Sequence, residues 1–274
     1  MYTYKNTSSR DVTLSKSSLV TWTDPILITV IGLKDLPLIK EGDDIGRFIV
    51  EQAKNQGEEI KEGDIIVVAQ KIVSKSEGRI LDLNSIVPSP FAREVARRTR
   101  RSPKHVEAIL RETSRIVKME KSHVITQTRH GFVCANAGVD RSNVNGRSHV
   151  VLLPEDPDRS AKTIRDRILE LSKRKVAVIV CDTFGRPWRL GYVNVAIGVA
   201  GMKPLKDYRG ARDMFNRTLT VTMMAVADEL ASAAELVMNK TDGVPVAIIR
   251  GYSYAEADSS AKELIRPPEL DMFS

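Results

Sequence analysis

Three short segments concentrate residues able to do chemistry, and each lies beside an apolar run. The first is Gln70-Lys-Ile-Val-Ser-Lys-Ser-Glu-Gly-Arg79. Lys71, Lys75 and Arg79 recur every four residues there, with Ser74, Ser76 and Gly78 among them. Cations just past the end of a strand can neutralise phosphate oxygens, and open α/β sheets collect their ligands at that place. A solvated basic face explains the same pattern equally well. The second segment is Asn136-Ala-Gly-Val-Asp-Arg-Ser-Asn143. Its small residues let backbone approach a ligand, and Asp140 and Asn143 offer hard oxygen donors. Read alone, it fits an ordinary turn better, with Asp140 and Asn143 bonding their own backbone. The third is Cys181-Asp-Thr-Phe-Gly-Arg-Pro-Trp-Arg189. A carboxylate at Asp182, after an apolar strand, is costly unless paired or bound to a metal. Asp182 and Thr183 together suit Mg²⁺ or Mn²⁺ when substrate phosphates complete the shell. A helix N-cap is the plainer role for Asp182. The nearby Arg186 and Arg189 tip the reading toward function.

Other features are weaker. The glycines at 185, 191, 198, 201 and 210 match no Walker or dinucleotide fingerprint. The four histidines show no zinc spacing, although His130 adjoins the Asp140 loop. Arginines 93, 97, 98, 100 and 101 could suggest nucleic acid, but Glu94 is interleaved and stacking aromatics are lacking, which favours a solvated helix face.

These segments need a scaffold. The chain has 274 residues, 42% hydrophobic and 28% charged, the composition of a globular protein with a sizeable core. No apolar run approaches the roughly 18 residues of a membrane helix. The polar N-terminus has no signal-peptide core, so a cytoplasmic protein is expected. Cys134 and Cys181 are expected to stay reduced. The net charge of +7 attracts anions without naming them.

Residues 1–25 read as a loose arm, and residues 26–274 as one unit with no linker. Strands are expected at Ile26–Ile31, Ile65–Ala69, Val150–Leu153, Val176–Cys181, Leu219–Met223 and Val244–Arg250, with another opening the stretch His123–Asp140. Helices are expected at Ile45–Gln56, capped by Asp43 or Asp44, and at Arg93–Arg101 and Ser102–Val117. Two more are expected at Ser160–Lys173, with Ile164, Ile168 and Leu171 inward, and at Val226–Met238. The irregular alternation of strands and helices gives an α/β or α+β class with mixed sheets.

Taken in order, these motifs match one family. They are Leu36-Pro-Leu-Ile39 with Gly42-Asp43-Asp44, Ile72 to Arg79, His130 to Asp140 with Ser142-Asn143, and Leu153 to Asp158. Asp182 to Arg189, Ala196-Ile-Gly198, Val226-Ala-Asp-Glu229 and Leu264-Ile-Arg-Pro267 complete the set. The chain resembles the coenzyme F420-0:L-glutamate ligase (gamma-glutamyl ligase) family from about Ile26 to Phe273.

The resemblance implies an intertwined, two-lobed α/β homodimer. It implies GTP-driven activation of the carboxylate of coenzyme F420-0, through an acyl phosphate, and attack by the amine of L-glutamate, with further γ-linked glutamates possible. It implies two Mg²⁺ or Mn²⁺ ions and, in some members, potassium. Carried over residue by residue, Leu36, Pro37, Leu38 and Ile39 hold the nucleotide through backbone. Gln70, Lys71 and Lys75 line the same site, with Lys75 on phosphates and counted with Asp140 and Asp182 as catalytic. Asp140, Asp182 and Thr183 bind metal, and Asn143 contacts GTP. Met238, Asn239, Lys240, Thr241, Asp242, Gly243, Val244 and Pro245 close over the nucleotide. Some members have an acid or amide ligand where this chain has Lys240, so the third ligand is open, with Asp228 or Glu229 as substitutes. The partners expected are GTP, L-glutamate and coenzyme F420-0, with neither nucleic acid nor membrane. The alternatives are a ligase of the same fold with a different acceptor or amino acid, and a nucleic-acid-binding module.

Overall fold

The computed structural model describes residues 27–143, 146 and 148–271. The N-terminal arm and Ile26 lie outside the described residues.

The elements run in the order β1 (Thr29–Leu33), α1 (Ile45–Asn55), β2 (Ile65–Ala69), α2 (Gln70–Ser76) and β3 (Ile80–Asp82). Then come α3 (Pro90–Thr99), α4 (Pro103–Arg111), β4 (Thr113–Glu120), β5 (His123–Thr128), β6 (Val133–Ala135) and β7 (His149–Val151). The rest comprises α5 (Pro157–Ser172), β8 (Ala177–Arg186), β9 (Arg189–Ala200), β10 (Lys206–Asp207), β11 (Met223–Met224), α6 (Val226–Met238) and β12 (Val246–Arg250). The fold is mixed α+β.

Its centre is a five-stranded sheet in the order β1-β12-β2-β8-β9. Only β2 and β8 run parallel; the other neighbours are antiparallel. The central strands are apolar on both faces because both are covered. Ile66, Val68, Val178 and Val180 point into one core with Ile45 and Ile49 of α1 and Ile164 and Ile168 of α5. Ile65, Val67, Ala177 and Ile179 point the other way, onto Leu230, Ala231 and Ala234 of α6. Each Ile or Val so buried contributes about 1.5–3 kcal/mol. The alanines let α6 lie close to the sheet, and Asp228 docks its start: Oδ1 accepts from Ala196 N–H at 2.9 Å.

Gly198 explains part of one motif. A Cβ there would lie 2.2 Å from the Pro157 carbonyl oxygen, so only glycine admits the start of α5 against β9. Asp64, almost fully buried, accepts two bonds from the Arg250 guanidinium, both at 2.9 Å, which ties the start of β2 to the end of β12.

The remaining elements carry the three-stranded sheet β4-β5-β6 and the pair β3-β7. Helices α3 and α4 pack Ala92, Val95 and Val106 against Val124. Several boundaries differ from expectation. The helix expected to reach Val117 stops at Arg111, and Ile116 lies on β4 instead. Leu171 of α5 faces outward. The strand expected at Leu219–Met223 shrinks to Met223–Met224. The strand at Val176–Cys181 runs five residues further, to Arg186, because β9 pairs with it along a long hairpin.

Candidate active site

Sheet register brings the chemical segments to one edge. Leu33, the last residue of β1, pairs with Val246, the first of β12, and Val246 pairs with Val68 near the end of β2. Ala69 pairs with Cys181, so Asp182 and Thr183 emerge where β2 gives way to α2. The loop after β1, the loop before β12, helix α2 and the Asp182-Thr183 pair therefore share that edge. The Ala69 N–H bond to the Pro245 carbonyl, 2.8 Å, fixes two of them together.

Helix α2 turns the fourfold spacing of its cations into one face. Lys71 sits 2.7 Å from the Asp140 carboxylate. Asp140 is held on a bridge to Val151, and its carboxylate also accepts the Ser142 N–H and O–H at 2.8 and 2.9 Å. Burial pushes its pKa up, but Lys71 and Ser142 outweigh burial and hold the carboxyl below the usual range. Lys75 makes no hydrogen bond or ion pair with a described residue. Partial burial, reinforced by the neighbouring Lys71 charge, lowers its pKa. A half-buried ammonium without a counter-ion, next to another ammonium, is what an anion subsite requires.

Asp182 is partly buried, and desolvation pushes its carboxyl up to about 6. The Thr183 N–H, Lys71 and Lys240 act against the rise, while Asp140 adds to it. The Asp140 and Asp182 charges thus sense one another. Two carboxylates and the Thr183 hydroxyl form a hard-oxygen donor set, and burial of the second carboxylate creates a demand for positive charge. These residues fit Mg²⁺ or Mn²⁺, with water or phosphate oxygens filling the shell. Among the described residues no group of three or more His, Cys, Asp or Glu side chains forms a metal cage.

A polar ring adjoins Asp182. Lys240 Nζ donates to Thr183 Oγ1. The Thr183 hydroxyl lies 2.6 Å from Asn194 Oδ1, and Asn194 Nδ2 donates to Glu235 Oε2 at 2.8 Å. Glu235 Oε1 lies 3.9 Å from Lys240 Nζ and closes the ring. Asn194, 3% exposed, comes from the unexpected strand β9, and Glu235 from the last turns of α6. Neither stood out in the sequence. The signal for Glu235 was an acid one turn before the Lys240 loop; Asn194 had none, because β9 itself went unrecognised.

Other expected site residues are placed differently. Gln70 is buried, and its amide nitrogen donates to Ser74 and to the Leu152 carbonyl, so it anchors α2 rather than facing outward. Arg79 leaves the cationic face: it pairs with the buried Glu112 at 3.0 Å and donates to the Leu153 carbonyl. His130 bonds the Pro154 and Glu155 carbonyls and stacks on Phe132, away from Asp140. Arg186 lies four residues beyond Asp182 on an extended strand, about 13 Å away at the usual rise. Arg189 is further along the hairpin. Asp182 caps no helix. Asp228 is used by the Ala196 N–H and Glu229 is exposed, so the acid that α6 brings to Thr183 is Glu235.

In the loop after β1, Leu38 is exposed and Ile39 is buried in the core, while Leu36 packs on its margin. Gly42 N–H bonds the Ser76 carbonyl, which lays the end of this loop against the end of α2. In the loop before β12, Met238 and Val244 are core residues. Asn239, Lys240, Thr241, Asp242 and Gly243 between them are exposed, braced by an Asn239–Asp242 bond of 2.9 Å. Asn143 is exposed in a left-handed conformation.

The family model described as F420-0:Gamma-glutamyl ligase matches residues 34–251, a span that contains every residue of this site. The chain belongs to that family. Among curated relatives, the coenzyme F420:L-glutamate ligase of Methanothermobacter thermautotrophicus is 49% identical over 249 residues, covering 90% of this chain and 98% of the relative. The proteins of the same name from Methanocaldococcus jannaschii and Methanopyrus kandleri are each 45% identical, over 90% of this chain and 96% and 98% of their own lengths. For this gamma-glutamyl ligase family member, Cys134 and Cys181 are free buried thiols; burial raises both to about 12, with Asp182 adding to each. They serve as packing beside the site, not as nucleophiles. No helix among the described residues is long and apolar enough to cross a membrane.

Proposed function

We propose that this protein joins L-glutamate to the carboxylate of coenzyme F420-0 as an amide, using GTP. The single observation that carries the reading is the convergence of the Asp140 and Asp182 carboxylates with the Lys71 and Lys75 ammoniums at one sheet edge. Paired carboxylates, one with a raised pKa, suit a divalent ion, and cations beside them suit phosphates. The family and the names of the relatives supply the acceptor and the amino acid.

In this mechanism an oxygen of the acceptor carboxylate attacks the γ-phosphorus of GTP and GDP departs. The resulting acyl phosphate has the leaving group that a carboxylate lacks. The glutamate amine, after losing a proton, then attacks the acyl carbon, and inorganic phosphate leaves as the amide forms. Asp140 and Asp182 would hold Mg²⁺ or Mn²⁺, with the Thr183 hydroxyl open to the same ion only where Lys240 releases it, and the ion would neutralise charge on the transferring phosphoryl group. Lys75, with no hydrogen-bond or ion-pair partner among the described residues, is set to bind phosphate oxygens. Lys71 sits between Asp140 and Lys75 and can turn from carboxylate to phosphate. The exposed loop from Asn239 to Gly243 and the backbone of Leu36–Ile39 flank the nucleotide.

The β8–β9 hairpin supports the homodimer. Trp188, Leu190 and Tyr192 near its tip are 86%, 96% and 76% exposed, more apolar surface than an isolated hairpin normally offers to water. A second copy of this chain would bury it and link two lobes across the molecule. The arginine-rich helix α3 lends little to nucleic-acid binding, since Arg97 and Arg98 both bond Glu94.

The test is mass spectrometry of a reaction containing the protein, coenzyme F420-0, GTP, L-glutamate and Mn²⁺. A product heavier by one or more glutamyl units, formed with GDP, is expected. GDP release without that product would move the assignment to another acceptor, and no turnover would overturn the ligase reading.

A further inference from the structure

The ring beside Asp182 has a direction. The Asn194 amide nitrogen is turned to Glu235, at 2.8 Å, which leaves its carbonyl facing Thr183. The single hydroxyl proton of Thr183 therefore goes to Asn194 Oδ1, at 2.6 Å, and Thr183 offers only lone pairs toward the site. Lys240 Nζ takes one of those lone pairs, with Glu235 as its counter-ion at 3.9 Å. Thr183, Asn194, Glu235 and Asp182 are all hard-oxygen groups, and the cation among them is an ammonium supplied by the chain. Asn194 is buried, so the orientation of the ring is built in rather than set by solvent.

We propose that the Lys240 ammonium is a resident cation at an oxygen-lined subsite next to Asp182, so that each site takes one divalent ion rather than two. This rests on the reading of Asp140 and Asp182 as divalent-ion ligands. A second divalent ion at Thr183 would have to share its oxygen with Lys240 and meet the like charge of the ammonium at close range. The one divalent ion would then fall to the Asp140 side, where the Lys71 ammonium, 2.7 Å from the carboxylate, has to turn away. Lys240 sits on an exposed loop, so it can accompany the nucleotide into the site and meet its phosphate oxygens while still bonded to Thr183.

The test counts metal directly. Chelator-stripped wild type and Lys240→Gln are titrated with Mn²⁺ in the presence of GDP, and free Mn²⁺ is read by electron paramagnetic resonance. Lys240 is exposed, so the variant is expected to fold. The expected result is one Mn²⁺ per chain in the wild type and two in Lys240→Gln, whose amide oxygen adds a neutral ligand where the ammonium stood. Two ions in the wild type, or one in both proteins, would overturn the proposal and leave the ligase reading intact. No bound ion in either would overturn the metal reading of Asp140 and Asp182 and this proposal with it.

Discussion

Replacing Asp182 by asparagine should stabilise the metal-free protein while abolishing catalysis, and pH should reveal why. The Asp182 carboxyl is raised from 3.8 to about 6, chiefly by burial. That shift corresponds to about 3 kcal/mol between the two protonation states. The folded state binds the proton more tightly than the unfolded chain, so the stabilisation is present in full below the ordinary aspartate pKa. It is lost as pH rises through about 6. At neutral pH the folded protein holds an ionised, desolvated carboxylate that the Thr183 N–H, Lys71 and Lys240 relieve only in part. Asparagine has no proton to lose, and comparing the two proteins at each pH cancels the other titrating groups. Between about pH 4.5 and 7.5 the linkage crosses about 2 kcal/mol; the remaining ~1 kcal/mol lies lower, where the unfolded aspartate takes up its own proton. Urea denaturation of chelator-treated wild type and Asp182→Asn at these two pH values measures it. The variant should gain about 2 kcal/mol on the wild type at the higher pH, equivalent to ~3–4 °C in melting temperature for a chain of this length. Mn²⁺ should then stabilise the wild type more than the variant, which keeps only the Asp140 carboxylate as a charged ligand. A difference that stays constant with pH, or changes sign, would mean that Lys71 and Lys240 already neutralise Asp182, and the argument for a cation-demanding site would fail.

Four further outcomes follow from the same structure. Lys75→Ala should weaken GDP binding about tenfold, the value of one charge-assisted bond, with little change in the melting temperature; unchanged affinity by calorimetry would remove Lys75 from the phosphate site. Arg79→Met should cost ~3 kcal/mol in urea denaturation by stranding Glu112, with nucleotide affinity unchanged, which separates it from the cations of α2. Gly198→Ala should cost about 1–3 kcal/mol, because its methyl group would collide with the Pro157 carbonyl; a neutral effect would mean that α5 slides freely on β9. Leu190→Glu with Tyr192→Glu should halve the mass measured by light scattering without unfolding the chain; an unchanged mass would show that the hairpin tip is no dimer contact.

Much of the frame was legible in the residues. Helix α1 declared itself through Asp44, whose side chain accepts the Arg47 N–H. Helix α6 was placed to the residue by its apolar spacing, and the unbroken apolar runs marked β2 and β8 as strands covered on both faces. These signals are local: a cap, a period or a run of branched side chains acts within a few residues. The exposed half of the β8–β9 hairpin has no such run. Its tip alternates glycine, arginine and aromatic residues, and only pairing between the two strands makes it regular. The same holds at β4, where a helical spacing of apolar residues was overridden by pairing with β5.

The amino-acid sequence by itself marked Lys71, Lys75, Asp140, Asp182 and Thr183 as candidates for anion and metal binding beside strands, with Asp140 fitting an ordinary turn better until the motifs were taken together. Its ordered motifs also determined the family. Only the tertiary structure decided which neighbours those residues meet. It turned Gln70 inward and Arg79 onto Glu112, carried Arg186 and Arg189 away along an extended strand, and brought Glu235 to Asn194 across 41 residues of chain, beside Lys240. The reason is physical. A residue's type and spacing fix its charge and its local conformation, whereas the partner that sets its pKa and orientation is fixed by sheet register, which depends on strands distant in the chain.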